Sequence, residues 1–318
     1  MLWIAIGAAL LSQPASAADY PGKPIRFIVG FPPGGGGDLI ARVVGQGLAG
    51  EMGQTVIIDN RAGAGGVIGS DIVAKAPPDG YTLLLGTTGA ITISPSLQSR
   101  MLYDPRTDFS PVGMIGSFQN VVVVPAASGV RSLKDLIDAA RRQPGKINFG
   151  SAGVGTTFHM AGEMLRVMAD VNIVHVPYKG NGPAMTDLIA GRLDCMFPTL
   201  PSALPYLKTD RLRALAVTGP ARSPALADVP TVAETGLSGY RVVNWYGVLA
   251  PARTPASIVD KLNGVLNKVV RSAEVQEHLS NQGIASQTSS PAQFRAFIAG
   301  EISRWAAVIK SAGIKAEE

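Results

Sequence analysis

The sequence predicts an α/β fold in two halves joined by a hinge around a cleft, on three observations. Short apolar runs of strand character alternate with segments whose apolar residues recur at helical spacing. Loops rich in glycine or other small residues connect them. The whole series begins again near Asn120.

The first unit shows the design. Ile25-Arg26-Phe27-Ile28-Val29 reads as a strand, and Leu39, Ile40, Val43, Val44 and Leu48 mark one face of a helix. Between them lies Phe31-Pro32-Pro33-Gly34-Gly35-Gly36-Gly37-Asp38. Four consecutive glycines carry no Cβ, so backbone N–H groups can approach a ligand, and the unpaired donors and positive dipole end of the helix favour an anion. Asp38 is expected to cap the helix. The loop could equally be a plain tight turn. A P-loop would need Gly-Lys-Ser/Thr where Gly37-Asp38-Leu39 stands, and a dinucleotide fingerprint would lack Pro32-Pro33. An acidic residue beside the loop disfavours a polyphosphate and leaves a smaller anion, such as a carboxylate, as the expectation.

Two more units follow. Thr55 to Ile58 leads through Asp59-Asn60-Arg61-Ala62-Gly63-Ala64-Gly65-Gly66 into a helix over 67–75, and Thr82 to Leu85 leads into Gly86-Thr87-Thr88-Gly89. Apolar strands buried on both faces and alternating with helices predict a parallel sheet. Ligands of such sheets sit beyond the carboxyl ends of the strands, which places Gly34 to Asp38, Gly63 with Ala64, and Thr87 with Thr88 on one rim.

The second series opens with the strand Val121 to Val124. Ser132 is expected to cap a helix reaching Arg142, and Ile147 to Phe149 is a strand that enters the small-residue loop Gly150 to Thr157. Met160, Ala161, Met164, Leu165 and Met168 mark the buried face of the next helix. A strand over 173–176, a helix begun by Pro183, and strands over 194–197 and 213–217 complete this half. A longer apolar run over 241–249 then precedes two C-terminal helices, with Thr254-Pro255 and Ser290-Pro291 at their starts. The predicted domains are 18–118 with 241–318, and 119–240. The crossing segments lie near 118–125 and 240–246, and each half aims a helix N-terminus into the cleft.

Composition suits a soluble globular protein: 318 residues, 46% hydrophobic and 16% charged. The net charge of +5 comes without a basic run longer than Arg141-Arg142 and with only 6% aromatics, so no nucleic-acid partner is expected. Residues 1–17 read as a signal peptide, with an apolar core over 2–11 and the small-residue pattern Ala15-Ser16-Ala17, although no Lys or Arg precedes that core. No later run approaches the ~20 apolar residues of a membrane span. The mature chain is therefore expected to be an exported, periplasmic monomer. Cys195 is the single cysteine, so no intramolecular disulfide can form.

Beyond these local readings, the chain closely resembles the Bug-type extracytoplasmic solute receptors of tripartite tricarboxylate transporters. The resemblance rests on Tyr20-Pro21, Pro33-Gly34-Gly35 with Asp38, Asn60-Arg61 with Gly63-Ala64-Gly65-Gly66, Pro78-Asp79-Gly80-Tyr81, Asp104-Pro105, Ser151-Ala152-Gly153 with His159, His175-Val176-Pro177-Tyr178-Lys179-Gly180, Asp187-Leu188 and Pro230-Thr231. It implies a periplasmic-binding-protein type II fold, two doubly wound domains around a hinge and ligand cleft, with no cofactor. It also implies a small organic acid as ligand and a membrane permease as partner. Pro33 to Asp38 match the family's first carboxylate loop, with Phe31 expected beside them at the ligand, and Ser151, Gly155, Thr156, Thr157 and His159 match the facing loop. Phe158 stands where the family usually has a small residue, and Ser94 where it often has Asn.

Other chemistries find little support. His159 and Glu163 are four apart, but no third metal ligand accompanies them. Gly150-Ser151-Ala152-Gly153 lacks the first glycine of a nucleophile elbow, because Phe149 stands there. Cys195 lies in an apolar strand and reads as a buried thiol. Tyr178 and Phe197 could line the cleft or cover the second core. The expected function is reversible capture of a small carboxylate without covalent chemistry, with a sensory receptor for a signalling partner as the alternative.

Overall fold

The computed structural model describes residues 20–98, 100–311 and 313–314. The expected signal peptide lies outside the described residues. The chain builds β1 (Ile25–Val29), α1 (Gly36–Met52), β2 (Val56–Asn60), α2 (Val67–Ala74) and β3 (Thr82–Thr87). A π turn (Gly89–Ile93) and α3 (Ser94–Leu97) lead to β4 (Phe109–Gln119), which passes through Asn120 into β5 (Val121–Pro125). The second half adds α4 (Leu133–Arg142), β6 (Asn148–Ser151), α5 (Thr157–Met168), β7 (Val174–Pro177), α6 (Asn181–Ile189), β8 (Cys195–Met196), α7 (Leu200–Leu207) and β9 (Leu212–Val217). The chain returns through β10 (Val243–Pro251) and closes with α8 (Ala256–Arg271), α9 (Ala273–Asn281), β11 (Ala285–Ser286) and α10 (Pro291–Ser311).

Two sheets result. One has the order β11-β4-β10-β3-β1-β2 and the other β7-β6-β8-β5-β9. Each is mixed rather than parallel throughout. β2, β1 and β3 run parallel, as do β7, β6 and β8, but the strands at the two crossings, β4 with β10 and β5 with β9, pair antiparallel. A strand that returns from the other half enters the sheet reversed, which local apolar patterning cannot reveal.

Both faces of both sheets are covered, so the halves are doubly wound. Ile25, Phe27, Val29, Leu83 and Leu85 pack with Ile40, Val44 and Leu48 of α1 and Ile258 and Leu262 of α8. Ile28 and Leu84 point the other way, to Val67 and Val73 of α2 and Phe294, Ile298 and Ile302 of α10. In the second sheet Val122, Val124 and Phe149 meet α4 and α5, while Val121, Val123 and Met196 meet α6 and α7. The last turns of α10 carry Trp305 and Ile309 into the core of the second sheet, so this helix ties the two halves together.

Several local expectations need correction. α1 is capped by Gly35, without a side-chain hydrogen bond, and Asp38 lies inside the first turn. α6 starts at Asn181 rather than Pro183, α8 starts at Ala256 with Pro255 as its cap, and three helices rather than two close the chain. Met168 is exposed rather than buried. Ser132 does cap α4, in a reciprocal box with Asp135, and Ser290 and Gln293 exchange the same pair of bonds ahead of α10.

Candidate functional site

A cleft of about 710 Å³ opens between the sheets. Its first wall is Phe31 to Gly37 and Leu39, with Gly65, Thr87 and Thr88 beside them. The opposite wall is built from Thr156, Thr157, Phe158, Lys179 to Pro183 and one face of α7, and Phe118, Asn244 and Tyr246 of the crossing strands form the floor. Lys179 and Lys208 are the charged residues among those that line it.

Ten residues expected from the sequence border this space: Phe31, Pro33, Gly34, Gly35, Gly36, Gly37, Thr87, Thr88, Thr156 and Thr157. The others stand behind it. Asp38 is 2% exposed and turns away from the cleft. Its carboxylate accepts from the Gly34 N–H at 2.9 Å, from Arg42 Nε and Nη2 at 3.0 Å each, and from Asn60 Nδ2 at 3.0 Å. Asn60 Nδ2 also donates to the Phe31 carbonyl, so this carboxylate and Asn60 together hold both ends of the glycine loop. Burial alone raises the Asp38 pKa, but the donors from Arg42, Gly34 and Asn60 outweigh it and hold the carboxyl below its ordinary range. The positive φ the loop requires is at Gly34, +82°, which only glycine adopts freely.

The facing loop is similarly buttressed. Ser151 is sealed in, with its Oγ 2.6 Å from His175 Nε2 and accepting the Gly153 N–H at 3.1 Å. Thr156 caps α5 and donates its hydroxyl proton to the Gly153 carbonyl at 2.7 Å. His159 is 1% exposed, and its Nδ1 accepts from the Gly155 N–H. Its ring lies 4.3 Å from that of His175, and burial, with the nearby charges of His175 and Arg166, pushes its pKa down to about 3. His159 and Gly155 thus shape the loop from behind. Gly63 and Ala64 set the turn that delivers Gly65 to the cleft. Tyr178 donates to Asp187 at 2.8 Å, and Phe197 is fully buried against Phe149, so these two belong to the second core. Burial pushes the Cys195 thiol up. Among the described residues no group of three or more His, Cys, Asp or Glu is placed to hold a metal ion.

Sequence reasoning missed the residues of the crossing strands and of α7. Thr157 donates to Asn244 Oδ1 at 2.5 Å, Asn244 Nδ2 donates to Asn120 Oδ1, and Asn120 Nδ2 donates to the Phe197 carbonyl at 2.6 Å. A buried polar chain therefore runs from the rim of the cleft through both crossing segments. Polar Asn and Tyr inside the apolar run over 241–249 were the available signal. Pro201 and Pro205 disguised α7, which supplies Pro201, Ser202, Leu204 and Pro205 to the second wall.

Across the cleft the halves approach closely at glycines. A Cβ on Gly89 would lie 3.2 Å from the Gly155 carbonyl oxygen, one on Gly65 would lie 3.2 Å from that of Val154, and one on Gly36 would lie 3.9 Å from Pro201 Cβ. Two helix N-termini, those of α1 and α5, face this narrow space, and their first-turn N–H groups have no intrahelical acceptor.

Comparison with known proteins agrees with this architecture. Residues 40–314 match the family described as the tripartite tricarboxylate transporter family receptor. A Pseudomonas sp. (strain P51) protein encoded in the tcbD-tcbE intergenic region is 42% identical over 308 residues, covering 96% of this chain and 91% of its own. Protein BugT of Bordetella pertussis (strain Tohama I) is 38% identical over 316 residues, covering 99% and 97%. Among solved structures, R. palustris Rpa4515 with adipate superposes with a TM-score of 0.91 at 37% identity, over 94% of this chain and 100% of that one. The periplasmic binding protein BugD gives 0.89 at 33% identity, over 94% and 100%. MatC from Rhodopseudomonas palustris with bound malate gives 0.86 at 30%, over 91% and 100%. With its two doubly wound halves, its cleft between facing helix N-termini and these relatives along nearly its whole length, the chain belongs to the receptor family of the tripartite tricarboxylate transporters, as a Bug-type solute-binding protein.

Proposed function

We propose that this chain is a periplasmic receptor that captures a small carboxylate by closing its two halves, 18–118 with 241–318 against 119–240, and presents it to the membrane permease of a tripartite tricarboxylate transporter. The observation that carries this reading is the polarity of the cleft. Two helix N-termini and two lysines face it, and none of the described residues that line it is an acid. Asp38, the acid in the first turn of α1, is turned inward and paired with Arg42. Such a space favours an acceptor-only, negatively charged group without requiring a bidentate arginine.

Closure then follows from differential contact. Each helix N-terminus belongs to a different half, so a ligand meets both sets of donors only in the closed form and shifts the population toward it. Residues 1–17 would serve as the export signal, and the mature chain would act as a monomer. The relatives solved with adipate and with malate indicate the size of ligand to test first. One acid end would rest on α1, with the remainder directed to the wall carrying Lys179 and Lys208.

The test is a thermal-shift and calorimetry panel on the mature protein with adipate, malate, succinate, citrate, glutamate and nicotinate, each beside its amide. A bound acid at about 100 times its dissociation constant adds ~2.7 kcal/mol and raises the melting point by at least a few degrees. An amide that binds as tightly as its acid would refute carboxylate anchoring.

A further inference from the structure

We propose that Tyr246 and Thr87, directly opposed on neighbouring strands, are the side chains that receive the anionic end of the ligand at the N-terminus of α1. This rests on the carboxylate reading above and deepens it by naming the donors. The hydroxyls that the facing loop could offer are already engaged. Thr156 donates to Gly153, Thr157 donates to Asn244, and Ser151 is buried against His175. A hydroxyl has one proton, so neither threonine has one left for a ligand.

Thr87 and Tyr246 differ in this respect. They are register partners in the antiparallel pair of β3 and β10, so both side chains project from the same face of the sheet, the face on which α1 packs. They are 8% and 7% exposed, and both line the cleft. Thr87 Oγ1 has no hydrogen-bond partner. The Tyr246 hydroxyl engages none of the described residues. Buried polar atoms are almost always paired, so the sealed Thr87 hydroxyl, with the unengaged Tyr246 hydroxyl on the neighbouring strand, marks a place where a partner arrives.

The position of the Tyr246 hydroxyl says what that partner meets. A Cβ added to Gly36 would lie 3.6 Å from it, and one added to Gly37 would lie 3.7 Å from it. It therefore stands over the first turn of α1, beside N–H groups that have no intrahelical acceptor. The Phe118 ring, 4.6 Å away, holds the tyrosine ring in place. Burial raises the phenol pKa, which keeps the group protonated and able to donate near neutral pH. Backbone N–H groups with the Tyr246 hydroxyl over the first turn of α1, and Thr87 opposite it on the neighbouring strand, suit a group that only accepts. A carboxylate offers two accepting oxygens and a charge, whereas an amide offers one neutral oxygen and brings N–H donors that the backbone N–H groups cannot accept.

Calorimetry with adipate, malate, succinate and nicotinate, each beside its amide, tests this on the wild-type mature chain and on Tyr246→Phe and Thr87→Val. Each variant is expected to weaken binding of the acid by about tenfold to a hundredfold, as loss of a hydrogen bond to a charged group does. The unliganded melting point should stay where it was, and preference for acid over amide should fall. Wild-type binding of an acid with both variants within twofold would overturn the proposal and leave the carboxylate reading standing. Failure of every acid to bind the wild type would overturn both. A crystal structure of the wild type with a bound acid decides the matter should a variant fold poorly. A ligand oxygen within hydrogen-bond distance of Tyr246 Oη and Thr87 Oγ1 supports the assignment, and an anionic end placed elsewhere overturns it.

Discussion

The Thr157 hydroxyl donates to Asn244 Oδ1 at 2.5 Å, joining the first turn of α5 in one half to the crossing strand β10 of the other. Asn244 passes the connection to Asn120 on the second crossing strand, where Thr218 Oγ1 accepts the Asn120 N–H at 2.9 Å and donates to the Val242 carbonyl at 2.7 Å. The two crossing segments are thus bonded directly to the rim of the cleft.

Thr157→Val keeps the shape of the side chain and removes its proton, stranding the buried Asn244 oxygen. Leaving such an acceptor unsatisfied costs about 1–3 kcal/mol, which urea denaturation would register as a lower midpoint with an unchanged slope. Thr157→Ser should recover most of the loss. Equal stability of the valine variant and the wild type would show that this bond contributes nothing.

Asp38 acts by tying down the glycine loop, and Asp38→Ala should therefore reach beyond helix stability. It removes the acceptor shared by the Gly34 N–H, Arg42 and Asn60, with an expected cost of about 1–3 kcal/mol and a weaker grip on any acid. Because the folded pKa is depressed, this stabilisation is present above the unfolded carboxylate value and is lost as pH falls through the folded one. The alanine variant should lose less stability than the wild type on acidification below about pH 4. Parallel losses in the two proteins would place the acid sensitivity elsewhere.

Much of this architecture was legible because each strand, loop and helix of the first half carries its own local signal. Ile25 to Val29, the glycines and the periodic face of α1 need no tertiary information. β4 was hidden because Pro111, Gly113 and Gly116 interrupt it, and the fold uses both glycines for close approach. A Cβ on Gly113 would lie 2.9 Å from Asn263 Nδ2, and one on Gly116 would lie 2.7 Å from the Ala285 carbonyl oxygen. The site was only half legible for a related reason. The glycine loop and Thr87 with Thr88 follow from the strand-end rule, but Tyr246 reaches them only because β10 returns antiparallel beside β3. Ser151, His159 and Phe197 have the right chemistry at nearly the right place. Their orientation, into the core rather than the cleft, depends on packing with His175, Phe149 and the helices behind them.

His159 should give the protein a second pH dependence, distinct from that of Asp38. Its folded pKa is lowered to about 3, while the unfolded chain takes up a proton near 6.5. Between these values the unfolded state binds more protons, so stability falls as pH drops from about 6.5 toward 3, by at most ~1.4 kcal/mol per unit. Melting points of the unliganded wild type measured from pH 7 to pH 5 should decline, and those of His159→Gln should decline less. Identical profiles would show that this imidazole is not kept neutral by the fold.

Gly89 offers the cleanest probe of closure. Its backbone has no need of positive φ, since it is absent from the residues with that geometry, and alanine favours the helical turn that follows. The variant should therefore fold as well as the wild type. In this structure, however, the added Cβ would sit 3.2 Å from the Gly155 carbonyl oxygen and 3.5 Å from Thr156 Cα, both backbone atoms of the facing loop, and any closure of the proposed kind would have to accommodate it. Backbone there is held by Ser151, Thr156 and His159, so the contact is relieved most easily by opening the hinge. Gly89→Ala is expected to bind an acid ligand on the order of tenfold more weakly, about 1.4 kcal/mol, with its unliganded melting point unchanged or slightly higher. Small-angle scattering with saturating acid should show a larger radius of gyration than for the liganded wild type. Wild-type affinity and an equally compact liganded state would mean that the facing loop yields instead, and that the apposition of Gly89 and Gly155 does not limit closure.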